Sequence, residues 1–210
     1  MGRTVTGGLG VFGGTFDPIH LAHLAVAESA RDSLGLERVL FIPAGVPPHK
    51  PDQPITPAAD RLAMVEAAIA GNPAFGASRI ELDRPGPSYT VDTLEALAVS
   101  DPDLVLILSS EAYADMPTWN DPRRVLELAQ LAVAPREGYP EVGPELVARH
   151  FPGMEGRVVV LDGPHIRLSA SEIRSRAAAG RSLRYLVPDA VAAYIGDHGL
   201  YRTTRRDDRS

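Results

Sequence analysis

Along this chain of 210 residues, short runs of apolar and β-branched residues alternate with longer stretches in which apolar residues recur every three or four positions. Pro or Gly usually separates the two kinds, which is the rhythm of βαβ units. The pattern predicts strands over Leu9–Gly13, Val39–Pro43, Phe75–Leu82, Leu104–Leu108, Leu131–Ala134 and Val158–Leu161. Most are continuous apolar runs, as parallel strands buried on both faces require. Helices are predicted over Pro18–Leu34, Ala58–Ile69, Val91–Val99, Pro122–Gln130, Pro144–His150, Ala170–Ala179 and Pro188–His198. The fold class expected is α/β, a single doubly wound parallel sheet with helices on both faces. Such sheets bind ligands beyond the carboxyl ends of their strands, which directs attention to the residues after each strand.

Composition narrows the function classes. With 44% hydrophobic and 23% charged residues and a mean hydropathy near zero, the chain can bury a core and is not a disordered one. One domain is expected over residues 1–201, followed by a mobile charged tail over 202–210. No apolar run approaches the roughly 20 residues of a membrane helix, and the first residues lack the apolar core of a signal peptide. The absence of cysteine removes thiol nucleophiles and zinc-thiolate sites and fits a reducing compartment, so a cytoplasmic location is expected. A net charge of −6 argues against nucleic acid as a partner, and the lack of a long apolar run argues against a membrane. Homo-oligomer formation is left open. Lys50 is the only lysine among 21 basic residues, so arginine forks are expected to meet anionic groups.

Gly8-x-Gly10-x-x-Gly13 matches the dinucleotide-binding fingerprint in spacing but not in context, because Leu9–Gly13 is itself the first strand. The G-x-x-x-x-G-K-[ST] pattern is absent. A different phosphate site is suggested by Gly13-Gly14-Thr15-Phe16-Asp17-Pro18-Ile19-His20-Leu21-Ala22-His23. Two glycines permit close backbone approach. Asp17 is expected to cap a helix starting at Pro18, which sets His20 near its third position and His23 three residues on. Both imidazoles would then share one face at the positive end of the helix, where an anion is stabilised. No nearby carboxylate completes a metal-ligand set, and no metal-binding residues are expected. A second helix start, Ser169-x-x-Glu172, reads equally as a capping box and as a phosphate site with Ser171 and Arg174.

The stretch GGTFDPIHLAH resembles the HxGH signature of the nucleotidyltransferase superfamily. The likeness extends to Ile42–Lys50 (IPAGVPPHK), Arg84–Leu94 (RPGPSYTVDTL), Met116–Trp119 (MPTW) and Leu168–Arg174 (LSASEIR), and in this order these segments resemble the bacterial nicotinate-nucleotide adenylyltransferase family. The histidine motif alone is shared with pantetheine-phosphate adenylyltransferases, cytidylyltransferases and class I aminoacyl-tRNA synthetases; the later segments are more specific. The resemblance implies a Rossmann-like sheet. It also implies adenylyl transfer from ATP to nicotinate mononucleotide in NAD biosynthesis, with Mg²⁺ carried on the ATP phosphates.

By the same resemblance His20 and His23 would be catalytic, as donors to the transition state. Gly13, Gly14, Thr15, Phe16, His20, His23, Ser109, Glu111, Ser169, Ser171 and Arg174 would bind ATP. Thr15, His49, Lys50, Tyr89, Thr90, Trp119 and Arg136 would bind nicotinate mononucleotide, with Tyr89 and Thr90 offering backbone groups to the carboxylate and Trp119 stacking on the pyridine ring. Without the motif, a sole tryptophan would more often be read as core. The chain departs from the family pattern at Ala22, where glycine is usual, at Ser109-Ser110-Glu111, where Gly-Ala-Asp is usual, and at Ser171, where threonine is usual. Two functions follow: an active adenylyltransferase, or a paralogue that only binds nucleotides.

Overall fold

A computed structural model describes residues 7–47 and 55–202. Among these residues six strands form one sheet in the order β3-β2-β1-β4-β5-β6: β1 (Leu9–Gly14), β2 (Arg38–Pro43), β3 (Phe75–Ala77), β4 (Leu104–Ser109), β5 (Ala129–Ala134) and β6 (Val158–Val160). Every pairing is parallel. This is the doubly wound, Rossmann-like order, and β1 stands at its switch point, flanked by β2 and β4. The helices are α1 (Leu21–Leu34), α2 (Ala58–Ile69), α3 (Thr90–Ala98), α4 (Ser110–Asp115), α5 (Pro122–Leu128), α6 (Pro144–His150), α7 (Ala170–Ala178) and α8 (Asp189–Asp197). No helix among the described residues is long and apolar enough to cross a membrane.

Strand periodicity explains how the sheet acquires two cores. Along β4, Leu104, Leu106 and Leu108 join the cluster containing Val11, Leu94, Tyr113 and Val125. Val105 and Ile107 join the opposite cluster, with Phe12, Phe41, Met64 and Ile195. Successive side chains of one strand thus feed opposite faces, and both faces are covered by helices.

Three expected element boundaries are corrected by more than one residue, and one helix was not expected. The predicted strand over Phe75–Leu82 stops at Ala77, because the Ser78 hydroxyl accepts from the Ile80 amide and residues 79–83 close a turn through Asp83 N–H and Arg79 carbonyl. Helix α1 begins at Leu21, not Pro18, with His20 as the residue before its first turn. Asp17 does not cap it, because its carboxylate accepts instead from the Thr56 amide and the Tyr201 hydroxyl. Helix α5 ends two residues early because Ala129 and Gln130 pair with Leu104 and Val105 in the sheet. Helix α4 was not expected; its six residues are too few for a periodic signal. His49, Lys50 and most of the 202–210 segment lie outside the described residues.

Candidate active site

The site grows from the carboxyl ends of β1 and β4, where the switch point leaves a crevice. A cavity of about 1350 Å³ opens there, lined among others by Gly13, Gly14, Thr15, His20, Ala22, His23, Thr90, Ser109, Trp119, Arg136 and Ser169. Residues from five of the predicted motifs therefore meet in one space. A Cβ built on Gly13 would meet nothing within 4 Å, so it would project into open space at the end of β1, whereas one on Gly14 would lie 3.0 Å from the Phe16 ring. Phe16 is held at φ 49° and is buried. It does not line the cavity; its ring packs edge-on against His23 at 5.2 Å, which makes it a support for that imidazole.

His20 and His23 form a stacked pair, with ring centroids 3.7 Å apart and planes 14° from parallel. The His20 backbone N–H donates to His23 Nδ1 at 3.2 Å, so neutral His23 carries its proton on Nε2. His20 is 4% exposed, and its Nδ1 has no hydrogen-bond partner. A buried polar atom left unsatisfied is uncommon in folded proteins and marks a place where a ligand can complete the set. Burial, helped by the nearby Arg136 charge, lowers the His20 pKa to about 4. His23 is pushed well below its usual value, first by burial, then by His20 and Arg136. Both rings are thus neutral N–H donors at pH 7, which refines the sequence picture of two imidazoles at a helix end.

The other expected residues divide between the cavity and its supports. Ser109 lines it while capping α4 through the Ala112 amide at 3.2 Å. Glu111 is engaged outside the lining, by the Tyr139 hydroxyl at 2.9 Å and by Arg136 at 3.0 Å. Ser169 caps α7 through the Glu172 amide while also lining the cavity. Its hydroxyl lies 3.1 Å from that of Ser171. Arg174 reaches back to donate to the Asp17 carbonyl at 2.7 Å and does not line the cavity.

On the far wall Tyr89 precedes α3 and Thr90 begins it, so the free N–H groups of a helix start lie beside the cavity. Trp119 is half-buried, lines the cavity and also packs against the core cluster containing Leu94, Tyr113 and Met116. Two buried charged residues near the site were passed over in the sequence. Glu81 is 8% exposed, lines the cavity, and accepts from the Thr93 hydroxyl at 2.8 Å; burial raises its pKa. It was read as part of a strand. Arg61 sits on the buried face of α2 with Leu62, Met64 and Val65; a charged residue on that apolar face was the available signal.

Residues 11–176 match the cytidylyltransferase-like family. A Thermomicrobium roseum protein described as "Probable nicotinate-nucleotide adenylyltransferase" is 51% identical over 93% of this chain and 92% of its own. The chain belongs to the nicotinate-nucleotide adenylyltransferase family. A Thermus thermophilus protein with the same description is 48% identical over 92% of this chain and 99% of its own. The fold is also that of Plasmodium falciparum nicotinic acid mononucleotide adenylyltransferase complexed with NaAD, with a TM-score of 0.76 at 17% identity, covering 93% and 97% of the two chains.

Within this family frame the Ala22 methyl, on the cavity wall in the first turn of α1, is testable. Ala22→Gly is expected to leave the ATP KM unchanged or lower it, while thermal stability falls by about 0.5–1 kcal/mol from the added backbone freedom. A raised ATP KM with unchanged stability would make the methyl a contact.

Proposed function

We propose that this protein transfers the adenylyl group of ATP to nicotinate mononucleotide, releasing pyrophosphate and forming nicotinate adenine dinucleotide. The observation that carries the reading is one continuous cavity joining the neutral, stacked His20–His23 pair to the α3 start and Trp119. Its volume accommodates both reactants at once. A phosphate oxygen of the mononucleotide attacks the α-phosphorus of ATP, the bond to the β-phosphate bridging oxygen breaks, and pyrophosphate leaves with that electron pair. The attacking phosphate is already ionised, so no general base is needed, and catalysis rests on positioning and charge stabilisation.

In this reading Gly13, Gly14 and Thr15 let the triphosphate approach the backbone, while His20 and His23 donate hydrogen bonds to its oxygens. Ser169, with Ser171 and the start of α7, receives the leaving pyrophosphate. Arg174 acts from behind, holding the Asp17 carbonyl. Mg²⁺ arrives as part of the MgATP substrate, since a small hard cation keeps its waters and takes phosphate oxygens. Among the described residues no cluster of three His, Asp or Glu side chains forms a cage for it.

Pyrophosphate release from ATP with a panel of acceptor phosphates tests the assignment: nicotinate mononucleotide should be the best acceptor, and preference for phosphopantetheine or silence with every acceptor would refute it. Trp119→Ala should raise the acceptor KM by an amount equivalent to about 1–3 kcal/mol, the range for losing a stacked aromatic ring, with a smaller change for ATP. Equal effects on both substrates would remove its stacking role.

A further inference from the structure

Arg61 lies outside every motif that carries the family likeness, yet its side chain is only 1% exposed. A buried guanidinium is costly unless its donors are used. Here they are used on main-chain oxygens from separate stretches of chain. Nε donates to the Thr56 carbonyl at 2.9 Å and Nη1 to the Thr15 carbonyl at 2.8 Å. Nη2 donates to the Ala44 carbonyl at 2.7 Å and the Gly45 carbonyl at 3.4 Å. The planar fork suits such divergent acceptors; an ammonium, being a point donor on a flexible stem, does not reproduce it.

What the fork joins matters more than the number of bonds. Thr15 belongs to the loop leaving β1, which carries the glycines and leads to the histidine pair. Ala44 and Gly45 leave β2, where Ala44 and Pro47 line the cavity, and Thr56 lies just before α2. The same two loops meet again where the Ala44 amide donates to the Gly14 carbonyl at 2.9 Å and where the Thr56 amide donates to the Asp17 carboxylate at 3.2 Å. Gly45 is itself confined, since a Cβ there would stand 2.3 Å from the Glu81 carbonyl oxygen.

We propose that Arg61 is a positioning residue that sets the spacing between two walls of the reaction cavity, the loop after β1 at Thr15 and the exit of β2 at Ala44. This rests on the adenylyl-transfer reading above. Each loop stays anchored to its own strand when the fork is lost, so each substrate still finds most of its contacts. The in-line approach of one phosphate to the other is what degrades, and a misplacement of about 1 Å can cost on the order of a hundredfold in rate. The signature is therefore a loss in kcat with little change in either KM.

Arg61→Lys keeps the charge and Arg61→Gln keeps a planar donor; whichever remains folded carries the test, beside the wild-type protein. Amide hydrogen exchange at Ala44, Gly45 and Thr56 is measured with kcat and the KM of both substrates. Exchange at these amides should be about tenfold faster or more, kcat about tenfold lower or more, and each KM within about threefold of wild type. Faster exchange with unchanged kcat would reduce Arg61 to a structural staple and overturn the proposal, as would wild-type exchange and turnover together. A wild-type protein that releases no pyrophosphate with nicotinate mononucleotide would refute the reaction itself, a failure distinguishable because it appears before any substitution is made.

Discussion

His20→Ala and His23→Ala are each expected to lower turnover by roughly a hundredfold or more, the scale for removing one preorganised donor to a transition state. The rings are built to donate rather than to accept protons. Stacking at 3.7 Å and the hydrogen bond from the His20 N–H fix their orientation, and burial keeps them uncharged at neutral pH. Their hydrogen bonds gain strength as charge accumulates on the oxygens of the reacting phosphorus, in a site partly shielded from water. Steady-state kcat with both substrates saturating, read beside a thermal melt, checks this, and wild-type turnover in either variant removes that histidine from the chemistry. The melt carries its own signal. Because the folded His20 pKa is about 4 against 6.5, the unfolded chain binds a proton that the folded one does not as pH falls between these values. The stability tied to this residue is present above pH 6.5 and lost through that window, so wild type should lose more than His20→Ala between pH 7 and pH 5.

The second large effect concerns the acceptor. Nicotinate mononucleotide should exceed the amide mononucleotide in kcat/KM by roughly a hundredfold or more at saturating MgATP. The first N–H groups of α3 stand beside the cavity at Thr90, and a helix start favours a carboxylate through both its free donors and its dipole. An amide must turn its NH₂ toward one of those donors. Leaving a buried polar group unpaired costs about 1–3 kcal/mol, and losing a charge-assisted bond adds to that. Glu81, the buried carboxylate near this helix, is engaged by the Thr93 hydroxyl at 2.8 Å. Equal values for the two mononucleotides, or preference for the amide, would displace the carboxylate from this helix start.

The strands were legible because parallel strands buried on both faces are uninterrupted apolar runs, and Ala58–Ile69 and Pro144–His150 were legible because proline marks where each helix begins. Where the reading slipped, a distant contact had taken over a local signal. Asp17-Pro18 looks like a helix start, yet the carboxylate is claimed by Thr56 and by Tyr201, so the helix begins after His20 and the histidines stack instead of merely sharing a face. The candidate residues of the cavity were found through local motifs. Arg61 and Glu81 were not, since their importance lies in which backbone oxygens and hydroxyls surround them, and no spacing along the chain records that. Glu111 illustrates the same limit: its charge was visible, but its pairing with Arg136 was not.

The bond from the Tyr201 hydroxyl to the Asp17 carboxylate, 2.7 Å long, spans 184 positions of sequence. Contacts of such separation form late, because a long loop must close before they add anything. During synthesis, the turn following the first strand emerges early and then waits for a tyrosine made 184 positions later. Glycines, histidines and the first helix can all be present while the carboxylate at their centre still lacks its hydroxyl partner. A chain stopped between Arg174 and Tyr201 carries all the recognisable motifs without the finished turn.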